Sequence, residues 1–134
     1  MWLMACVDDN LGLAFNHRRQ SQDRVLRVKM LDRAAGKPLW MSPYSAGQFD
    51  PLPRNIQVAE DFWARAGAGE YCFAELQAPG AWLDRLEGVV LYRWNRRYPS
   101  DLKFDLPLER FVLRGRQDFA GHSHPQITEE VYVR

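Results

Sequence analysis

The chain opens with a six-residue apolar run, Trp2–Val7, which ends at two aspartates, Asp8 and Asp9. Successive residues of a strand point to opposite faces of a sheet, so a strand built from this run has two apolar faces. Such strands are typical of the middle of a sheet that is covered on both sides, whereas half-exposed strands alternate polar and apolar residues. We therefore expect Trp2–Val7 to form a central strand of an α/β sheet.

One amphipathic helix is expected after this strand. Apolar residues recur at helical spacing from Val25 to Leu31. Ser21 has the side chain of an N-cap residue, and Gly36 stands where a helix commonly stops. These signals predict a helix of about four turns.

The remaining segments predict shorter elements and an antiparallel end. The last one, Ile127–Val133, alternates polar and apolar residues, as expected of a hairpin strand at a sheet edge. Strands that alternate with helices and finish in a hairpin predict a single α/β domain, residues 1–134, whose mixed sheet is flanked by helices. The other expected elements are strands at Leu39–Met41, 56–59, 71–74, 89–94 and 111–115, and a short helix at 79–86.

The composition of the chain limits which classes of binding partner we expect. With 18 basic and 17 acidic residues the formal net charge is +1, which provides no overall field to attract a nucleic acid or an anionic membrane. The first apolar run is too short to span a membrane or to act as a secretory signal, so we expect a cytoplasmic protein. Cys6 and Cys72 lie inside apolar segments without the close spacing of a metal or redox pair, and we expect both to be free thiols.

Several segments follow one another in a distinctive order. They are VDDNLGLAFN after the first strand, RRQSQD before the helix, GKPLWM, PLPRN and the YP segment that leads to VYVR. This order resembles that of dihydrofolate reductase. The resemblance covers nearly the whole chain and implies that family's fold, a small-molecule ligand and reduction of a pterin with a nicotinamide cofactor.

The resemblance also implies roles for particular residues. Asp23 matches the acid that faces the pterin, and it would polarise or protonate the heterocycle. Gly12 falls where the substrate loop begins, and Arg54 falls where an arginine binds the anionic tail of folate. Arg18, Arg19 and Gln20 would add charged and neutral groups to the same cleft, since arginine binds carboxylates and phosphates through bidentate hydrogen bonds.

The nicotinamide signatures of the family are largely missing. Its glycine–arginine pair after the second strand is replaced by Ser42 and Pro43, and its paired glycines after Phe73 are replaced by Ala74 and Glu75. Glycines allow backbone N–H groups to approach a pyrophosphate, whereas Glu75 would bring a negative charge toward it. The cofactor is therefore left open, and we expect NADPH to bind poorly or not at all.

Each candidate residue also has a plain structural explanation. Asp23 is also explained as a helix-capping acid, and the arginines near it as outward-facing charges. His122 and His124 flank Ser123 in a loop that we expect at the surface, and they lack the spacing of a metal site. A second basic group, residues 93–98, is explained as the end of a strand rather than as a nucleic-acid surface.

Three functions are compatible with these observations. The first is a divergent reductase that acts on a pterin or a related anionic heterocycle. The second is a non-catalytic protein that keeps the fold, has lost the dinucleotide site, and binds a nucleotide-like anion. The third is a protein-interaction module whose cleft is vestigial.

Overall fold

The computed structural model describes residues 1–134 as a seven-stranded mixed sheet with helices on both faces and a small three-stranded sheet at one end. The helices are α1 (Arg24–Ala34), α2 (Pro43–Ala46) and α3 (Phe62–Arg65), with 3₁₀ helices at Gly80–Arg85 and Leu108–Arg110. The strands are β1 (Trp2–Val7), β2 (Gly12–Phe15), β3 (Arg18–Arg19), β4 (Leu39–Met41), β5 (Ile56–Val58), β6 (Tyr71–Phe73), β7 (Gly88–Arg93), β8 (Leu102–Lys103), β9 (Val112–Phe119) and β10 (Ile127–Val133).

Strand β1 lies in the middle of the large sheet, as its apolar sequence predicts. The strand order is β5-β4-β6-β1-β7-β10-β9, and β1 pairs in parallel with both β6 and β7. Strands β10 and β9 are antiparallel and form the predicted C-terminal hairpin at one edge. The predicted mixed α/β sheet is therefore confirmed.

The alternation of side chains along β1 divides the core into two apolar layers. Leu3, Ala5 and Val7 belong to the layer under α3 and the first 3₁₀ helix, whereas Met4 belongs to the layer under α1 and α2. All four side chains have no exposed surface. The sheet is thus covered on both faces, which explains why β1 carries no polar residue.

Helix α1 begins later than the sequence predicts. Its N-cap is Asp23, whose carboxylate accepts hydrogen bonds from the backbone of Val25 and Leu26, and the prediction of Ser21 as the cap was wrong. An aspartate caps as well as a serine does, so local sequence could not decide between them. At the other end Ala35 and Gly36 adopt positive φ angles of 52° and 80°, which ends the helix where predicted.

The segment between β1 and α1 is more ordered than the loop that we expected. Strands β2 and β3 form a short antiparallel ribbon, and β2 also pairs with β8, which gives the small second sheet. Asp8 is buried and caps the turn into β2, because its carboxylate accepts hydrogen bonds from the backbone of Gly12 and Tyr98. This ribbon places Arg18 to Asp23 beyond the carboxyl end of β1.

None of the helices is long and apolar enough to cross a membrane.

Candidate functional site

Asp23 connects the start of α1 to the loop between β9 and β10. Besides capping the helix, its carboxylate accepts hydrogen bonds from the backbone N–H groups of His122, at 3.0 Å, and Ser123, at 2.9 Å. The Nδ1 atom of His124 lies 2.9 Å from Oδ2 of the same carboxylate. Only 2% of the Asp23 surface is exposed, so both oxygens are occupied by groups of the protein.

These contacts keep Asp23 ionised. Burial alone raises the pKa of a carboxyl group, but the hydrogen bonds from His122, His124, Ser123 and Leu26 outweigh it and hold the pKa of Asp23 well below its usual range. An acid that donates a proton to a ring near neutral pH needs the opposite shift. The geometry therefore favours a capping and anchoring role for this carboxylate; a direct contact with a ligand stays a prediction.

His124 lies inside the protein, so the prediction of a surface loop was wrong for this residue. Its ring stacks on Trp94 with centroids 4.6 Å apart, and it is only 4% exposed. Its Nε2 atom lies 2.9 Å from Oγ of Ser21 and 3.2 Å from the hydroxyl of Tyr98. The sequence could not reveal this residue, because His124 is 101 positions from Asp23 and only the fold brings them together.

The face of α1 that packs on the sheet is apolar. Its buried residues are Leu26, Met30 and Ala34, which join the apolar layer around Met4. The family resemblance implied an acidic residue on this helix whose side chain faces a pterin. Asp23 instead precedes the helix, and its carboxylate turns back to the helix end and to the 121–124 loop.

Arg19, which is partly exposed, forms an ion pair with the buried Glu75 near the carboxyl end of β6. The guanidinium Nε and Nη2 atoms lie 2.9 and 3.2 Å from the two carboxylate oxygens of Glu75, a bidentate arrangement. The ring of Tyr44 lies under this guanidinium, 4.3 Å from its centre, and Gln48 donates a hydrogen bond of 3.1 Å to Glu75. The sequence had led us to expect Arg19 in the same cleft as Asp23. The structure places it against Glu75 instead.

The other predicted ligand-binding residues are dispersed. Arg18 is exposed on β3, and Gly12 is packed so tightly that a Cβ there would lie 2.6 Å from the Gln20 side chain. Gln20 donates to the carbonyl of Pro99, while its own side-chain oxygen is buried without a partner. Arg54 is exposed at the amino end of β5, which is the opposite edge of the parallel strands from Glu75. These residues do not form one pocket.

A polar cleft of about 350 Å³ opens beside Asp23, and we call it the α1 cleft. Arg24 and Arg27 of the helix and His122 of the loop line it, and Arg24 lies 3.0 Å from Nδ1 of His122. Neither arginine forms an ion pair with a carboxylate. The residues that line the α1 cleft are Gln22, Asp23, Arg24, Arg27, His122 and Ser123.

Comparison with known proteins identifies the fold. No protein-family model and no curated protein sequence matches the chain. Among solved structures, the dihydrofolate reductase from Enterococcus faecalis, complexed with NADP(H) and RAB-propyl, superimposes with a TM-score of 0.71. The match covers 99% of this chain and 95% of that one at 8% sequence identity.

This chain has the dihydrofolate reductase fold. At so low an identity the match defines the path of the backbone and not the side chains that occupy it. Glu75 lies two residues after the end of β6, where the family resemblance implied paired glycines. The ion pair with Arg19 gives Glu75 a structural partner inside the molecule. No group of three or more histidine, cysteine or acidic residues is arranged to hold a metal ion.

Proposed function

We propose that this protein binds a small anionic molecule in the α1 cleft and does not use a nicotinamide dinucleotide. The observation that carries the proposal is the positive charge of the cleft: Arg24 and Arg27 line it, while the one carboxylate in its wall, Asp23, is saturated by internal hydrogen bonds. Two guanidinium groups with no acidic partner suit a carboxylate or phosphate group. The class of ligand is that of the second of the three functions that the sequence left open.

The region after β6 supports the part of the proposal that concerns the cofactor. A pyrophosphate placed there would meet the Glu75 carboxylate at close range, and it would have to displace a bidentate partner, Arg19, to gain a positive charge. Both side chains are largely buried, so the pair is weakly screened by water. The reductase hypothesis would also need a proton donor on the inner face of α1, where the buried residues are apolar.

Thermal or chemical unfolding in the presence of candidate ligands tests the proposal. We expect stabilisation by a nucleoside monophosphate or a carboxylate-bearing heterocycle such as folate, worth about 2.7 kcal/mol at a hundredfold excess over Kd. NADPH should bring no larger shift than a nucleoside monophosphate does. The double variant Arg24→Ala/Arg27→Ala should lose the effect, whereas Arg114→Ala, an exposed arginine on β9, should keep it.

The outcomes separate the candidate functions. A strong NADPH shift that survives Arg24→Ala/Arg27→Ala would favour the reductase, and oxidation of NADPH in the presence of a dihydropterin would then be measured. If no small molecule stabilises the protein against unfolding, the protein-interaction module is the remaining candidate function.

A further inference from the structure

A chain of hydrogen bonds links a serine, a histidine and an aspartate next to the α1 cleft. The Ser21 hydroxyl lies 2.9 Å from Nε2 of His124, and Nδ1 of the same ring lies 2.9 Å from the Asp23 carboxylate. A second hydroxyl, that of Ser123, lies 3.3 Å from Nδ1. The order and distances are those of a nucleophile, a general base and an orienting acid.

The ionised carboxylate determines which imidazole nitrogen carries the proton. Asp23 can only accept, so Nδ1 of His124 must donate to it. In the neutral ring Nε2 is then an acceptor, and it faces the Ser21 hydroxyl. Stacking on Trp94 and the backbone contacts of residues 122 and 123 to Asp23 hold the ring in this orientation.

The 121–124 loop is built closely around this arrangement. A Cβ atom on Gly121 would lie 2.6 Å from Oδ2 of Asp23, so only glycine lets the loop approach the carboxylate. Asp23, rather than Ser21, caps α1, so the serine hydroxyl is not needed to cap the helix. Ser21 is also partly exposed, unlike the buried His124 and Asp23.

We infer that Ser21, His124 and Asp23 form an acyl-transfer site in which Ser21 is the nucleophile, His124 the general base and Asp23 the residue that orients His124. Its substrate class is an ester or thioester whose acyl group carries a carboxylate or phosphate. The preference for an anionic acyl group rests on the proposed function, because Arg24 and Arg27 of the α1 cleft would bind that charge. The nucleophile itself does not depend on it.

The reaction needs no reagent besides water. The Ser21 oxygen forms a bond to the carbonyl carbon as its proton passes to Nε2 of His124, and the bond from that carbon to the leaving oxygen or sulfur then breaks. His124 returns the proton to the leaving group. Water attacks the acyl-serine in the same way, which releases the acid and restores the Ser21 hydroxyl.

Tyr98 provides a second hydroxyl near the same nitrogen. Its oxygen lies 3.2 Å from Nε2, farther than that of Ser21, and the neutral ring has one lone pair there. When Ser21 donates to Nε2, the Tyr98 hydroxyl is free to donate elsewhere. We therefore assign the Tyr98 hydroxyl as a neutral donor to the developing oxyanion.

Labelling with a neutral alkyl fluorophosphonate tests the nucleophile directly. We expect one covalent adduct on the native protein, which peptide mass mapping places at Ser21. Ser21→Ala should abolish the adduct without a change in melting temperature, and Ser100→Ala, a control serine outside the hydrogen-bonded chain, should retain it. No adduct at Ser21, or an equal adduct in a folded His124→Gln variant, would overturn the proposal, since loss of a general base slows such reactions by about a hundredfold or more.

A thiol variant covers the case in which His124→Gln does not fold. In Ser21→Cys the new thiol should react with iodoacetamide at least about tenfold faster than the native thiols, because an adjacent imidazole promotes the thiolate. Burial raises the pKa of the Cys6 and Cys72 thiols, which keeps the background low. A new thiol that reacts no faster than Cys6 would contradict the assignment of His124 as the base.

A pair of esters separates this inference from the proposed function. We compare the mono-4-nitrophenyl ester of adipic acid with neutral 4-nitrophenyl hexanoate, and expect the anionic ester to be hydrolysed about tenfold faster, in keeping with one charge-assisted contact. Arg24→Ala/Arg27→Ala should remove the preference. If Ser21 is labelled but the anionic ester is not hydrolysed faster, only the anion site is contradicted. If anions bind but Ser21 is not labelled, only the acyl-transfer site is contradicted.

Discussion

Several charged residues that resemble ligand-binding groups in the sequence are satisfied by the protein itself. Asp23 is held by backbone and side-chain donors, and Glu75 is held by Arg19 and Gln48. A buried carboxylate is costly unless such partners are present, so these contacts are needed for the fold as well as available for function. Arg24 and Arg27, which line the α1 cleft without an acidic partner, are therefore the better guide to a ligand.

Removing the Asp23 side chain should destabilise the protein more than a helix cap alone would. Asp23→Ala removes the cap of α1 and leaves the buried His124 Nδ1 without its acceptor. We expect the free energy of unfolding to fall by about 2–4 kcal/mol, the sum of a lost cap and an unsatisfied buried donor. Urea unfolding measures this loss, and Asp32→Ala, an exposed acid on the same helix, should stay within about 0.5 kcal/mol of the native protein. A loss for Asp23→Ala as small as that would show that the loop does not depend on this anchor.

The contribution of Asp23 should also depend on pH. Its folded-state pKa lies below the unfolded value of about 3.9, so the stability that it provides is present above about pH 4 and is lost as the pH falls through the folded-state value. Asp23→Asn cannot titrate. The difference in unfolding free energy between the native protein and Asp23→Asn should therefore be largest near neutral pH and should shrink steadily between about pH 4 and pH 2. A difference independent of pH over that range would contradict an Asp23 carboxylate that is held ionised by hydrogen bonds.

At the scale of elements, the sequence predicts most of the sheet and little of the site. Trp2–Val7 reveals its central position because burial on both faces excludes polar side chains. The predicted C-terminal hairpin is present at the sheet edge, but the polar residues of Ile127–Val133 do not mark an exposed face, since Thr128, Glu129 and Glu130 are buried. The β2–β3 ribbon was missed because two-residue β3 is held by pairing and not by its own pattern. The pairs Arg19–Glu75 and Asp23–His124 join distant segments, and no periodicity in one sequence encodes such contacts.

The Arg19–Glu75 pair should couple the β2–β3 ribbon to the end of β6. A double-mutant cycle with Arg19→Ala and Glu75→Ala should give a coupling free energy of about 1–2 kcal/mol, since the pair is bidentate and mostly shielded from water. The exposed pair Arg65–Asp61 on α3 is the matched control, and its coupling should be too small to measure. Equal coupling in the two cycles would mean that burial adds nothing to the Arg19–Glu75 pair.

At the scale of the whole molecule, the dihydrofolate reductase fold positions contacts between segments that are distant in the sequence. Both faces of the sheet are packed by apolar layers, and the end of β6 is occupied by an ion pair. The α1 cleft and the Ser21–His124–Asp23 chain lie at the junction of the first helix and the β9–β10 loop, which the C-terminal hairpin supports from the edge of the sheet. A rigid sheet that holds loops from distant parts of the chain is a general way to place functional groups.

The reaction rate of the buried Cys72 thiol measures whether the sheet unfolds as one unit. Cys72 lies on β6 between β4 and β1, has no exposed surface, and has a thiol pKa raised by burial to about 12. A reagent can reach it only when the central strands separate, so its reaction rate reports global unfolding rather than local motion. In Cys6→Ala, which removes the partly exposed second thiol, we expect Cys72 to react with a disulfide reagent at least about a thousandfold more slowly than in the unfolded chain.

The urea dependence of that rate completes the prediction. Protection of Cys72 should disappear over the same urea range in which circular dichroism reports the loss of the fold, because β1, β4 and β6 form one cooperative sheet. Reaction of Cys72 well below that range would show that the β5–β4–β6 side opens separately from β1–β7–β10. In that case the two halves of the sheet would be independent units, and the ion pair at the end of β6 would open without disturbing the hydrogen bonds around His124.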